Sequence, residues 1–423
     1  MSRFARNATL LVCCNILLNL LTHLVSAEEA KWQRHIVDNS SRGADGVRLA
    51  DANGDGLLDI ATGWEEGGVI RVYLNPGPTL AKQAWPAVTV GRVKSPEDAV
   101  LVDLDGDGRM DVVSCCEGAN RTVFVHWAPS DPKRYLDEKA WTTEPLPATL
   151  KQRMWMFAVP MQIDGRRGID LVVGSKGPQA AIGWLRSPDD PRRLADWKYH
   201  EWTSAGWIMS LQAHDLDGDG DLDILASDRK GDASSVLWIE NTLDPQREVD
   251  RGAGSANWPV HRIGGLRREV MFLSYQATDA VQSIVAAVRP SSLLWLSSNR
   301  KQAREPWSRE ELSLPSGCGT AKAAAIADVD LDGRVDIVFT CENATKGLSG
   351  ARWISAVSEL AKPSADTEAP IFTNNSAHEI SGPEGVKFDR IEMIDLDDDG
   401  DLDLLTCEER DNLGVIWYEN PAR

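Results

Sequence analysis

The sequence predicts an all-β chain: a seven-bladed β-propeller of four-stranded antiparallel blades, closed by the N-terminal strand completing the last blade. Three observations carry this. A nine-residue string, Asp-x-Asp-Gly-Asp-Gly-x-x-Asp, recurs along the chain. Short apolar runs flank each copy. Tryptophan, with 16 copies against five Tyr and seven Phe, returns at matching places in each unit.

The string appears as Asp51, Asn53, Asp55 and Asp59, and as Asp103, Asp105, Asp107 and Asp111. It returns as Asp215, Asp217, Asp219 and Asp223, as Asp328, Asp330, Asp332 and Asp336, and as Asp395, Asp397, Asp399 and Asp403. Successive first positions are 52, 112, 113 and 67 residues apart, and the two gaps near 112 each leave room for a further unit. Degenerate copies fill both. Gln162–Asp170 keeps Asp164 and Asp170 and runs into Leu171-Val172-Val173. Tyr275–Ser283 keeps no acid at the four positions and runs into Ile284-Val285-Ala286. Seven repeats result.

Each unit has one plan. An apolar run such as Ala99–Val102 precedes the Asp loop and another, such as Ile224–Ala226, follows it. Runs this short, bounded by Gly and Asp, read as buried strands. A third strand carries an aromatic: Tyr73, Trp127, Trp184, Trp238, Trp295, Trp353 and Trp417. A fourth opens with Trp85, Trp141, Trp197, Trp258 or Trp307, and with Phe372 in the sixth unit. Four strands in each of seven units make a propeller with Trp packed between neighbouring sheets. Trp32–Ile36 resembles a fourth strand but precedes every Asp loop, and the last unit stops at its third strand, Val415–Asn420. The first strand therefore completes the last blade and removes an open sheet edge.

These residues carry a family resemblance. Ala213–Ile224 and Val415–Asn420 look like repeats of the FG-GAP/VCBS family, whose blades resemble those of the integrin α-subunit propeller. The resemblance covers residues 31–423. The third and fifth units depart from it in the loop.

Composition narrows the class. The chain has 423 residues, is 42% hydrophobic and 26% charged, and carries a net charge of −19. A chain this acidic lacks the basic footprint of a nucleic-acid binder and does not dock electrostatically on anionic lipid. Residues 1–27 read as a secretory signal, with Arg3 and Arg6 ahead of an apolar run and Val25-Ser26-Ala27 at its end. Polar Asn15, Asn19, Thr22 and His23 argue against a retained anchor. Residues 28–423 are expected to form one secreted domain with no membrane span, a monomer. Five cysteines remain outside the signal, too few for a disulfide scaffold, and none is spaced as C-x-x-C. Cys318 with Cys341 is one candidate bridge, and adjacent Cys115 with Cys116 another.

Four carboxylates within nine residues repel one another, at roughly 1 kcal/mol per pair 4 Å apart in water and more near protein. Five such loops call for counter-ions. Acids at positions 1, 3, 5 and 9, with a backbone carbonyl at 7, supply the oxygens a hard cation takes, and calcium suits an all-protein cage better than magnesium. About five structural Ca²⁺ are expected, one per complete loop. An EF-hand is excluded, because it requires Glu at position 12, where Thr62, Ser114, Ala226, Phe339 and Thr406 stand within strands.

Six residues past each loop a charge recurs: Glu65, Glu117, Lys176, Arg229, Arg289, Glu342 and Glu409. In the resembled topology these turns lie on the face opposite the Asp loops, near the axis. Three bases are followed by four acids around the ring, which predicts an electrically divided ligand face. Asn120, Asn343 and Asn374 open glycosylation triplets. His35, His200, His261 and His378 recur near the fourth strand, an outer-edge, structural position. No catalytic triad, metal-His set or phosphate loop appears. The reading is a binding module for a glycan or protein ligand on the non-calcium face. The alternative is a lyase-like enzyme acting on polysaccharide in an axial pocket, and a third possibility is a scaffold.

Overall fold

Every Asp loop joins two antiparallel strands, and the strand after it is buried on both faces. In Asp59–Trp64 and Asp403–Glu408 every residue is buried. A strand enclosed this way must be almost continuously apolar, which explains the short unbroken runs. The computed structural model describes residues 31–165, 168–242, 258–356 and 372–423, with backbone alone at 373–376. The signal segment 1–27 lies outside them, and the side chain of Asn374 is not described. Over these residues the strands form seven sheets, each of four antiparallel strands.

The first strands of the blades are Ala44–Ala50, Pro96–Val102, Met154–Met161, Ile208–His214, Val270–Ala277, Thr320–Ala327 and Phe388–Ile394. Each contacts the first strand of the next blade, and the last contacts the first, so the ring closes and these strands surround its axis. Gln33–Asp38 is the outer strand of the seventh sheet, pairing with Gly414–Glu419 so that His35 faces Trp417. No helix among the described residues is long and apolar enough to cross a membrane.

Aromatic residues hold the blades at two radii. The third-strand residues, from Tyr73 to Trp417, are all buried. The second set precedes the outer strand, and four of its indoles are tied to their own linkers, while Trp258 stacks on Trp202 with ring centroids 4.6 Å apart. Trp85 donates to the Ala81 carbonyl at 3.0 Å, Trp141 to Tyr135 at 2.8 Å, Trp197 to Pro191 at 2.9 Å and Trp307 to Ala303 at 3.0 Å. The recurrent histidines face the third-strand Trp of their own blade. Ring centroids are 4.4 Å apart for His35–Trp417, 5.2 Å for His200–Trp184, 4.4 Å for His261–Trp238 and 4.1 Å for His378–Trp353.

The fifth unit differs from the sequence reading. Its first strand runs through Tyr275 to Ala277, and its second begins at Val281. Thr278 N–H donates to the Val281 carbonyl at 2.8 Å, closing a tight hairpin where a nine-residue loop was expected. With no cluster of acids to spread apart, the chain turns directly.

Candidate functional site

The blade ends carry two different chemistries. At one end lie the Asp loops. Position 4 is left-handed in all five, at Gly54, Gly106, Gly218, Leu331 and Asp398. This folds position 6 back onto the first carboxylate: Gly56 N–H donates to Asp51 at 2.9 Å, and Gly108, Gly333 and Gly400 do the same to Asp103, Asp328 and Asp395 at 3.0 Å.

The ninth-position aspartate works differently from the other three. Asp59 accepts the N–H groups of Ala52 and Asn75, both at 2.7 Å. Asp111, Asp223, Asp336 and Asp403 repeat this two-ended grip on loop and third strand. So does Asp170 of the degenerate third unit, from Ile163 at 3.1 Å and Ser187 at 2.8 Å. Six carboxylates thus buckle the first hairpin to the third strand, and each oxygen keeps one further lone pair for a cation. Burial lifts Asp59 and Asp170 to about 6 and the other four to about 7.

The remaining loop acids fit a cation. Buried oxygens of Asp103, Asp217, Asp221, Asp328, Asp395, Asp397 and Asp401 have no hydrogen-bond donor. They belong to blades 2, 4, 6 and 7, and Asp221 and Asp401 add a carboxylate at position 7, where a backbone carbonyl was expected. In blades 2, 4 and 6 three acids hold oxygens within 4.8 Å of one another. Blade 1 is the exception: Asn53 is neutral, and both oxygens of Asp51 accept N–H groups. Three third-position acids already meet a cation from the next blade. Arg304 is 2.7 Å from Asp217, Lys82 is 2.9 Å from Asp397, and Arg192 pairs with Asp105. In the third unit Arg186 neutralises Asp164 at 2.8 Å.

At the other end, the seven turn charges form a chain of contacts around the axis. Glu65 meets Glu117, and Glu117 pairs with Lys176. The Lys176 ammonium and the Arg229 guanidinium lie 4.6 Å and 4.5 Å from the ring centre of Trp207. Arg229 pairs with Glu269 at 3.1 Å, Arg289 with Glu269 at 3.6 Å and with Glu342, and Glu409 with Lys387. The expected basic half is therefore not free. Its three bases are each neutralised by a carboxylate of an adjacent turn or strand, because opposite charges this close pair before they build a field.

The side chains that divide this face lie six residues before the loop, or at the same register in blade 5. They are Lys322, Asp389, Asp45 and Glu97 in blades 6, 7, 1 and 2, and Met156, Met209 and Met271 in blades 3, 4 and 5. All seven are buried, and the methionines join Phe157 and Phe272 in one apolar cluster. The funnel floor is thus half charged and half apolar. In the sequence Asp45, Glu97 and Asp389 stand as acids in otherwise mostly apolar strands. The period was legible, but a lone acid in each strand carried no signal until the strands were set side by side. Beneath the charged half, Arg48 reaches from blade 1 to the Ala158 carbonyl of blade 3 at 3.1 Å, passing Asp98 at 3.7 Å.

Carboxylates crowd this half. Asp45 lies with Glu65 and Glu97, and again with Asp389 and Glu409, with oxygens in each set within 4.8 Å. Burial first, then neighbouring acids, hold Asp45 well above the usual range. Burial, partly offset by Lys176, lifts Glu97 to about 8, and burial with Asp389 lifts Glu409 to about 7. Groups displaced this far in a shared recess mark a candidate functional site.

Among the described residues Cys115, Cys116, Cys318, Cys341 and Cys407 are all free thiols, so neither candidate bridge is formed in this structure. Cys318 contacts Cys341, and that contact together with Arg352, 3.8 Å away, lowers its thiol to about 7.

Residues 51–114 match the FG-GAP-like repeat family. No curated protein matches the chain in sequence. Among solved structures, the Dos1 propeller is similar with a TM-score of 0.51 at 9% identity, over 92% of this chain and 94% of that one. BBS1N, in a complex with ARL6DN, aligns with a TM-score of 0.48 at 12% identity, over 92% and 97% of the two chains. The SapL1 lectin, in complex with alpha methyl fucoside, gives 0.40 at 12%, over 74% and 92%. At such identities the likeness concerns the fold alone.

Proposed function

We propose, from the premise of a β-propeller carrying an FG-GAP-like repeat, that this general binding or recognition module is exported, is clamped by calcium at its Asp loops, and binds a glycan or protein ligand on the opposite, axial face. The observation that carries the binding site is the recess itself: charged side chains of successive blades converge beside Met156, Met209 and Met271, with Trp207 at its edge. Polar groups that fix orientation beside an apolar and aromatic surface make a binding site. The orphaned oxygens of the loops in blades 2, 4, 6 and 7 support calcium there. The blade 1 loop supplies a fifth, weaker site. Each ion would tie the loop that joins the first two strands and offset its carboxylate repulsion.

Glycan-array and protein-capture binding by the mature chain tests this. Trp207→Ala and Lys176→Ala should abolish binding, while Asp217→Ala, on the other face, should leave it intact. Binding that survives both axial variants overturns the assignment. Metal analysis after dialysis against calcium should find about five ions at the rim loops, and one or none rejects the clamp.

An enzyme is the second reading. The observation favouring it is Glu97, raised to about 8 and 2.9 Å from the Lys176 ammonium, a pairing able to move a proton near neutral pH. New chain ends released from an array-positive polysaccharide, and lost in Glu97→Gln, would decide for it.

A further inference from the structure

The carboxylates at the axis outnumber the cations set among them. Asp45, Glu65, Glu97, Asp389 and Glu409 share the recess with Lys176, Lys322 and Lys387. Each lysine already has its own acid partner: Lys176 Glu97 at 2.9 Å, Lys322 Asp389 at 3.5 Å, and Lys387 Glu409. Asp45 is left over. It is 8% exposed, and its carboxylate takes part in no ion pair among the described residues. It meets Asp389, another carboxylate, in a side-chain contact of hydrogen-bond type. Asp389, 1% exposed, directs an oxygen that finds no donor, and so does Glu409. Three lysines among five carboxylates leave a surplus of negative charge in the recess, which is unfavourable unless a further positive group joins it.

We propose that the axial recess binds a hard divalent cation, with Asp45 as the shared ligand between the Glu65–Glu97 pair on one side and the Asp389–Glu409 pair on the other. The site is distinct in kind from the Asp loops. Those are contiguous nine-residue strings at the opposite blade ends, whereas these ligands come from blades 7, 1 and 2. All five donors are carboxylates, so oxygen-seeking calcium, magnesium or manganese fits, and zinc, which takes nitrogen and sulfur, does not. An ion there would draw three blades together across the point where the ring closes.

The test counts calcium bound per chain after equilibrium dialysis, in the full mature protein and in Asp45→Asn and Glu65→Gln. Wild type should hold one ion more than Asp45→Asn, and Glu65→Gln should weaken that ion's binding several-fold. Asp328→Asn should lose a different ion, so failure of the loop sites is distinguishable from failure of this one. Thermal melting supplies a second readout. In chelator Asp45→Asn should melt at or above wild type, since the neutral amide avoids the cost of either burying a charge or taking up a proton there. In calcium it should gain less than wild type does. Equal ion counts and equal calcium-induced shifts in the two proteins would overturn the proposal and leave the carboxylates neutralised by protons alone.

Discussion

Glu97 shows how far one residue's chemistry is set by its surroundings. Lys176 and Glu117 face it from adjoining turns, and Glu65 and Asp45 from blade 1. Its folded value of about 8 lies above an unfolded value of about 4.3, so folding takes up a proton. The stability this group contributes is full below about 4.3 and is lost as pH rises towards about 8. In chelator, Glu97→Gln should therefore gain on wild type steadily between pH 5 and 8, read as the difference in melting temperature. A difference that stays flat would place the proton elsewhere. Leu331 is a second case. It stands at φ 59° where Gly54, Gly106 and Gly218 occupy the same loop position. A left-handed side-chain residue costs about 1–2 kcal/mol, partly offset by the entropy a glycine loses on folding. Leu331→Gly should raise stability by about 0.5–1 kcal/mol in a denaturant titration.

Within the blade, the loop motif conceals a separate task of its ninth-position aspartate. The ninth-position aspartate ties backbone to backbone without an ion. Blade 3 demonstrates this, keeping Asp170 although its loop has lost the first- and fifth-position acids. Asp170→Asn would turn an amide N–H₂ toward a backbone donor and leave a buried group unpaired, at about 1–3 kcal/mol. That loss should be the same in calcium and in chelator. Asp330 lies in a loop with an orphaned oxygen at Asp328, and its own carboxylate is raised by burial and Asp332. Asp330→Ala should cost about 3 kcal/mol in calcium at a hundredfold excess over Kd and little in chelator. Parallel melts of the two variants separate buckle from clamp. Identical calcium dependence in both would refute the division.

Across the whole molecule, closure depends on the six residues Gln33–Asp38. They cover the edge of Gly414–Glu419, and their side chains add His35 to Glu419 at 2.7 Å and the Asp38–Arg71 pair between blades. A chain begun at Asn39 would expose that edge and open the ring. It should lose its single cooperative melt and aggregate with rising concentration by light scattering. A peptide of residues 31–40 should restore the melt, whereas unchanged melting without it would show that the seventh blade closes without its outer strand.

The repeat, the blade count and the four-strand plan were legible because each rests on local rules. Strand length, turn chemistry and aromatic period belong to contiguous residues, and seven copies reinforce one another. The loop acids were legible for the same reason. The ninth position's second partner, some 16 to 20 residues onward, was not. Nor were Arg304, Lys82 and Arg192, which reach the third-position acids from the next blade, since nothing in the sequence announces a contact across a blade boundary. The turn charges from Glu65 to Glu409 could be counted, but their expected division into a basic and an acidic half ignored pairing with Glu97, Glu269 and Lys387. Local residue patterns specify the architecture and place the acids at the Asp-loop ends of the blades. The axial face arises in the folded ring alone, because seven strands must converge on one axis before Asp45, Glu97, Asp389 and Lys322 become neighbours and the three methionines become the opposite wall.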